Sequence, residues 1–259
     1  MTELLDTMDN GGDFDEKNIV KDAYEKIKTI HGEDSFLHIN NILEEIRPHF
    51  YEWWTKNKGM EKHLKSGLKG KELEDKIQQG VGQAWNKWKG DRFQELVEYV
   101  IRDFIEELGL KTCSDDDLKD PKSVEMERVR KNTLVRYGKE IDVLPDMDVV
   151  IYKPHSYEVV AILSCKTSLR ERIAQCAYWK IKLSAYKTTE AIKYFLVSPD
   201  SDEIFRSSKP TSGQVKGRII TEFDTDGAFI MNQVITSEKI RPFKEFKNFL
   251  RKIVTKNGK

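Results

Sequence analysis

Asp148 opens one apolar run, Asp148-Val-Val-Ile-Tyr152, and Lys166 closes the next, Val159-Val-Ala-Ile-Leu-Ser-Cys-Lys166. A carboxylate and a lysine at neighbouring strand ends suit metal-assisted phosphodiester hydrolysis. Hard oxygen ligands hold Mg2+, while the lysine orients water and offsets charge growing at phosphorus. Asp146 precedes Asp148 by two positions and shares its side of a strand, because strand side chains alternate. Asp142, Asp146 and Asp148 make an acidic mouth, of which one or two need touch metal. Thr167-Ser-Leu-Arg-Glu-Arg-Ile-Ala-Gln175 follows the lysine directly. Within it Arg170-Glu171-Arg172 carries donors that grip guanine O6 and N7 and an acceptor for cytosine N4. The same stretch has a plainer reading, a capping box with Ser168 as N-cap and Glu171 at the third helical position.

The remaining candidates carry less. Glu95 lies in Gly90-Asp-Arg-Phe-Gln-Glu95 on a long helix, where it either completes the acidic site or sits solvated on a helix face. Tyr51-Glu-Trp-Trp-Thr-Lys56 and Trp85-Asn-Lys-Trp-Lys89 read as core tryptophans with solvated lysines more readily than as phosphate contacts. The five histidines have no metal-ligand spacing, which argues against zinc. Neither a Walker-type phosphate loop nor a dinucleotide fingerprint is present. Cys165 points away from Ser164 and Lys166 in a strand and reads as core.

Elements must position these groups. Residues 16–31 and 36–47 have helical spacing, with Pro48 ending the second. Residues 56–80 are charged and punctuated by glycine, and read as a short exposed helix between turns. Residues 81–108 give the strongest helical signal, closed by Gly109. Residues 113–140 read as irregular loop. Residues 147–152 and 158–163 form a hairpin around Lys153-Pro-His-Ser156. A helix over 168–187, a strand over 192–197, late strands at 218–222 and 228–231, and a helix over 242–254 complete the order. It fits an α/β fold around a mixed sheet, with a helical N-terminal region over 1–80 and a core over 81–259.

The chain has 259 residues, with 44 basic and 44 acidic side chains, so any nucleic-acid surface must be local rather than global. The three cysteines have no paired spacing and fit reduced thiols in a cytoplasm. No apolar run approaches a membrane span. Met1-Thr-Glu-Leu-Leu-Asp-Thr-Met-Asp-Asn10 lacks the basic start of a signal peptide.

On these residues the chain resembles the type II restriction endonucleases of the PD-(D/E)XK fold, and most of all the branch that cuts CCGG and related CC-GG sites. Pro145-Asp-Met-Asp148 resembles the metal-binding acid segment. Ser164-Cys-Lys166 stands where the (D/E)XK tripeptide belongs. Thr167-Ser-Leu-Arg-Glu-Arg172 resembles the lysine-linked recognition segment, and Gly90-Asp-Arg-Phe93 a helix motif leading to an acid. The resemblance covers roughly residues 85–197. It implies a mixed sheet flanked by helices and Mg2+-dependent cleavage of double-stranded DNA to 5′-phosphate ends. It also implies a palindromic G·C-containing site, a homodimer and a prokaryotic cytoplasmic setting. Asp148, Lys166, Glu95 and Ser164 take the catalytic positions. Asp148, Asp146, Glu95 and Glu158 are the metal candidates. Thr167, Ser168, Arg170, Glu171, Arg172 and Gln175 are the DNA-reading candidates. Two departures stand out: Ser164 replaces an acid, with none supplied at Tyr178-Trp-Lys180, and Gln94 replaces the usual helix glutamate. They leave open a less specific nuclease or an inactive DNA-binding relative.

Overall fold

The computed structural model describes residues 14–59, 67–138, 140–206 and 211–256. The acidic start of the chain and part of the glycine-punctuated stretch lie outside the described residues. The chain divides into two compact units, Met1–Leu96 and Val97–Lys259, with the boundary inside a long helix.

The first unit is helical. Helix α1 (Ile19–His31) buries Ile19, Val20, Ala23, Tyr24 and Ile27, a three-and-four spacing on one face. Helix α2 (Ile39–Trp54) buries Ile39, Ile42, Leu43, Ile46, Phe50 and Trp54. Pro48 does not end it. Its ring lies on the exposed side, and the lost backbone bond is outweighed by burial of Phe50 and Trp54 further along the same helix. Helix α3 (Gly70–Glu107) starts eleven residues before the expected position. In this unit it contributes Trp85 and Trp88, stacked at 5.3 Å against each other and within 5.4 Å of the Phe50 ring. The tryptophans are thus core.

The second unit holds a six-stranded sheet in the order β1-β4-β5-β6-β7-β8. Its strands are β1 (Lys111–Ser114), β4 (Val149–Tyr152), β5 (Val159–Cys165), β6 (Lys193–Ser198), β7 (Gly227–Ile230) and β8 (Ile240–Pro242). The pairs β1–β4 and β4–β5 are antiparallel, and β5–β6, β6–β7 and β7–β8 are parallel. β2 (Val135–Tyr137) and β3 (Ile141–Val143) form a separate ribbon. Strands β4, β5 and β7 are buried at every position, which is why they read as continuous apolar runs rather than alternations. Helix α6 (Arg172–Ser184) covers one face through Ile173, Cys176 and Leu183. Helix α8 (Phe246–Lys256) covers the other, where Phe195, Phe229, Phe246 and Phe249 meet edge to face at 4.9–5.6 Å. Phe104, near the end of α3, joins them at 5.8 Å from Phe246.

Two expectations fail for identifiable reasons. Residues 113–140 are not loop. They hold β1, the short helices α4 (Asp115–Lys119) and α5 (Val124–Lys131), and the ribbon. Each short helix is started by a serine cap and buries only one side chain, Leu118 or Val129, so no periodicity marks it. Residues 218–222 are not strand but part of helix α7 (Ser212–Asp224). Their Ile-Ile-Thr run has β propensity, yet the parallel β6–β7 pairing requires a crossover, and a Thr211–Gln214 capping box starts the helix that supplies it. Gly217 lets α7 approach α6: a Cβ there would lie 3.1 Å from Ile173.

Gly227 starts β7 at φ 134°, with the Lys239 carbonyl oxygen 2.4 Å from where a Cβ would sit. Gly227→Ala therefore has to move backbone between β7 and β8. The expected loss is about 2–3 kcal/mol, read as a lower denaturant midpoint with unchanged slope.

Candidate active site

Asp148 stands just before β4 and Lys166 just after β5, so the antiparallel pairing brings them to one edge of the sheet. The ladder extends one step past β4, from the Asp148 N–H to the Leu163 carbonyl at 3.0 Å, and the Lys166 N–H bonds the Val197 carbonyl at 2.9 Å. Both backbones are thereby fixed to the sheet. One carboxylate oxygen of Asp148 accepts from the Cys165 N–H at 2.6 Å and from the Lys166 ammonium at 2.8 Å. A carboxylate oxygen of Asp146 lies 3.3 Å from the same ammonium. The Tyr194 hydroxyl bonds the Asp146 carbonyl and anchors the approach to β4.

Burial decides the electrostatics. Asp148 and Lys166 side chains are each 14% exposed. Burial pushes the Asp148 carboxyl above the ordinary aspartate range, against the pull of Lys166 and the Cys165 N–H. Burial also works against the Lys166 charge, but Asp148 and then Asp146 outweigh it and hold its pKa above that of an ordinary lysine. Lys166 is therefore a fixed cation, suited to stabilising negative charge and unsuited to taking a proton. Two carboxylates against one ammonium leave the cluster one negative charge in excess. Hard oxygens with uncompensated charge fit Mg2+, which takes one or two protein carboxylates and completes its shell with water and phosphate. Among the described residues no group of three or more His, Cys, Asp or Glu is placed to hold a metal alone.

The other sequence candidates separate. Ser164 is fully buried. Its hydroxyl lies against Cys176 and Tyr194 in a geometry short of a full hydrogen bond, so it lies beneath the site and cannot reach a phosphodiester. Glu158 flanks the opposite end of β5, about 26 Å of strand from Lys166 at roughly 3.3 Å per residue, and pairs with Lys153 at 2.9 Å. It cannot be the second acid. Asp142 pairs with Arg136 across the ribbon at 3.1 Å and leaves the acidic mouth. Glu95 belongs to the first unit, exposed and paired with Arg92 at 2.7 Å. Cys165 is buried and its thiol pushed well up by that burial, an inert core group.

Glu98 is the acid that spacing alone passed over. It is the first acid of α3 within the second unit, partly buried, and accepts from Thr112 Oγ1 at 3.3 Å. Thr112 lies in β1 opposite Ile151 of β4, so this bond ties Glu98 to the β1 edge of the sheet. Its sequence signal was position: three residues after Glu95, on the border of the apolar stripe.

The segment after Lys166 is not a capping box. Helix α6 begins at Arg172 with Glu171 as its N-cap, and Glu171 makes no capping bond. The Ser168 hydroxyl bonds Asp202 at 3.1 Å instead. Arg170 and Glu171 are exposed, Thr167 and Leu169 are buried, and Arg172 donates to the Gln175 side chain at 2.9 Å. Exposed Arg170 and Glu171 thus follow the lysine on one short connection, and exposed Arg172 opens α6 directly after it.

Comparisons with known proteins bear on the family and the fold. A family model described as BsaWI restriction endonuclease type 2 matches residues 125–251. The chain is 33% identical over 199 residues to "Putative type II restriction enzyme MjaVIP" of Methanocaldococcus jannaschii, covering 76% of this chain and 84% of that one. It is 34% identical over 123 residues to "Probable type II restriction enzyme HpyAORF263P" of Helicobacter pylori, covering 47% of this chain and 63% of that one. A solved structure, "Restriction endonuclease PspGI-substrate DNA complex", aligns over 92% of this chain and 93% of that chain with a TM-score of 0.53 and 14% identity, a likeness of fold. Among the described residues no helix is long and apolar enough to cross a membrane. The matched family model and the extent of identity to the Methanocaldococcus jannaschii relative lead to one conclusion: this chain belongs to the type II restriction endonucleases.

Proposed function

We propose that the protein is a Mg2+-dependent endonuclease that cuts double-stranded DNA at a palindromic site containing adjacent C and G pairs. The observation that carries this reading is Lys166 held between Asp148 and Asp146, with exposed Arg170 and Glu171 on the connection that starts at the same lysine and exposed Arg172 directly after it. Asp148 and Asp146 would hold the cation, with Glu98 as the further acid. Bound there, Mg2+ would supply Lewis-acid activation of phosphate and water. Lys166 stabilises the charge that develops on phosphorus oxygens as water attacks in line and the 3′-oxygen leaves. Asp148, accepting from the Cys165 N–H, keeps the ammonium aimed at that position. Arg170 and Arg172 would grip guanine edges, and Glu171 would accept from cytosine N4.

A palindromic target calls for two copies about a two-fold axis. Support comes from α6 and α7. Val215, Ile219 and Phe223 recur every fourth residue on α7 and are 39%, 51% and 78% exposed; Tyr178 and Ile181 on α6 are 44% and 57% exposed. The Tyr178 hydroxyl bonds that of Tyr137, and Ile141, opposite Tyr137 in the ribbon, is 61% exposed. Most of the exposed large apolar side chains described in this unit therefore fall on the face formed by α6, α7 and the ribbon, and exposed apolar clusters of this kind mark interaction surfaces. We assign its occupant as a second copy of this chain, since α6 carries both that face and, at its start, the base-reading residues.

Incubation with phage DNA and Mg2+ should give discrete bands. A smear would mean a less specific nuclease, and no change an inactive relative. Asp148→Ala and Lys166→Ala should each lower cleavage at least about 10³-fold while DNA binding persists. Glu98→Gln should cost about 10²-fold and Glu95→Gln little; the reverse order would remove Glu98 from the site.

With no cap to lose, Glu171→Ala should change stability by less than about 0.5 kcal/mol. It should weaken cognate binding by about 1–3 kcal/mol per contact, with little change on a scrambled duplex. Arg170→Ala and Arg172→Ala should behave alike when both duplexes are compared at one salt concentration. Equal losses on both duplexes would refute base reading.

Phe223→Asp places a charge on the exposed face without touching the catalytic cluster. Sedimentation velocity should show a dimer become a monomer, with cleavage falling in parallel. A variant that stays dimeric would place the interface elsewhere.

A further inference from the structure

Between Lys166 and helix α6 the chain runs through residues 167–171 with no regular secondary structure. Such a connection has no ladder to hold its middle, yet its side chains must keep register with base edges. One carboxylate holds it. Asp202, in the turn that follows β6, accepts from the Leu169 N–H at 2.6 Å and from the Ser168 hydroxyl at 3.1 Å. Its other oxygen lies 3.9 Å from the Arg170 Nε. Three successive residues of the connection therefore converge on a single side chain more than thirty positions away in sequence.

Asp202 is itself braced. The neighbouring Asp200 is fully buried at φ 52°, and its carboxylate accepts from the Ile204 and Phe205 N–H groups at 2.8 and 2.9 Å. The Ser198 hydroxyl accepts from the Asp200 N–H at 3.0 Å, and the Asp200 carbonyl accepts from the Glu203 N–H at 3.0 Å. Phe205 and Leu169, on the two sides of the clamp, are both fully buried. The turn is thus fixed to the end of β6, the strand whose Val197 carbonyl holds the Lys166 N–H. An acid near a surface meant for a polyanion is electrostatically unfavourable. Against that cost, its hydrogen bonds to the connection are about twice as strong as those a neutral side chain would make.

We propose that Asp202 is a positioning residue for sequence discrimination: it sets the backbone register of residues 168–170 and pre-orients the Arg170 guanidinium before DNA arrives. This inference rests on the reading of Arg170, Glu171 and Arg172 as base-reading groups. Asp202 touches neither the acid cluster nor Lys166 in the contacts described above. Its loss should therefore spread rate among sites rather than abolish it. Preorganisation of this kind acts by lowering the ordering cost of the correct complex.

The test uses the full-length protein and duplexes carrying either the site mapped from its own digest of phage DNA or that site with one base pair changed. The quantity read is the ratio of kcat/KM on the two duplexes, beside the melting temperature. Asp202→Ala should lower the ratio about tenfold, while Asp202→Asn, which keeps one neutral acceptor oxygen for Ser168 and Leu169, should lower it about threefold. Should Asp202→Ala fail to fold, Asp202→Asn and Ser168→Ala carry the test, each with a smaller loss of ratio. An unchanged ratio in the folded variants, or an equal fall in rate on both duplexes, overturns the proposal. Arg170→Ala measured in parallel separates the two ideas. If it leaves the ratio intact, base reading by this segment fails and the clamp falls with it. If it collapses the ratio while the Asp202 variants do not, only the clamp is wrong.

Discussion

The site depends on one oxygen atom. A single carboxylate oxygen of Asp148 accepts from both the Cys165 backbone and the Lys166 side chain, and so ties the start of β4 to the end of β5. Burying two charges costs several kcal/mol each before their attraction returns anything. The geometry answers that cost with a charge-assisted bond, a backbone donor and a second carboxylate on the same ammonium. The result is a cation that cannot titrate away near neutral pH and an acid cluster left with excess negative charge. Both properties follow from setting two carboxylates around one ammonium at a strand end, against the cost of burial, and both are what phosphodiester hydrolysis asks of a site.

That pair also governs everything downstream of Lys166. The lysine's backbone is held by β6 through Val197, and the turn leaving β6 carries Asp202, which holds the connection leaving the lysine. Lys166, the connection that leaves it and the turn that holds that connection therefore share two adjacent parallel strands. Displacing one strand end would move all three together. The parallel strands are buried on both faces, and the phenylalanine cluster beneath α8 gives them the close packing that resists such displacement.

The departures from local grammar have tertiary causes. Pro48 sits inside α2 because the apolar face of that helix continues past it. The Ile-Ile-Thr stretch of α7 is helical because two parallel strands need a crossover between them. Ser168 and Glu171 have capping-box spacing, but Asp202 takes the serine and the helix starts four residues later. The local preference that yields is a few tenths of a kcal/mol for the β-branched run, about 1 kcal/mol for the cap and about 3 kcal/mol for the proline, and each gives way to a packing or hydrogen-bonding demand.

The sequence by itself determined the buried strands, because continuous apolar runs ending in an acid or a lysine have few other uses, and it determined the short distance from Lys166 to the arginines. It also marked Asp148, Lys166 and the hairpin that brings them together, since antiparallel neighbours with a short turn must bring their far ends together. Only the tertiary structure decided which acids reach the lysine. Asp146 and Asp148 do, whereas Asp142 turns to Arg136 and Glu158 lies at the other end of β5. Glu98 and Asp202 were illegible for one reason. A carboxylate on a helix face or in a turn has no periodic signature, and its role is set by what a distant strand end presents to it.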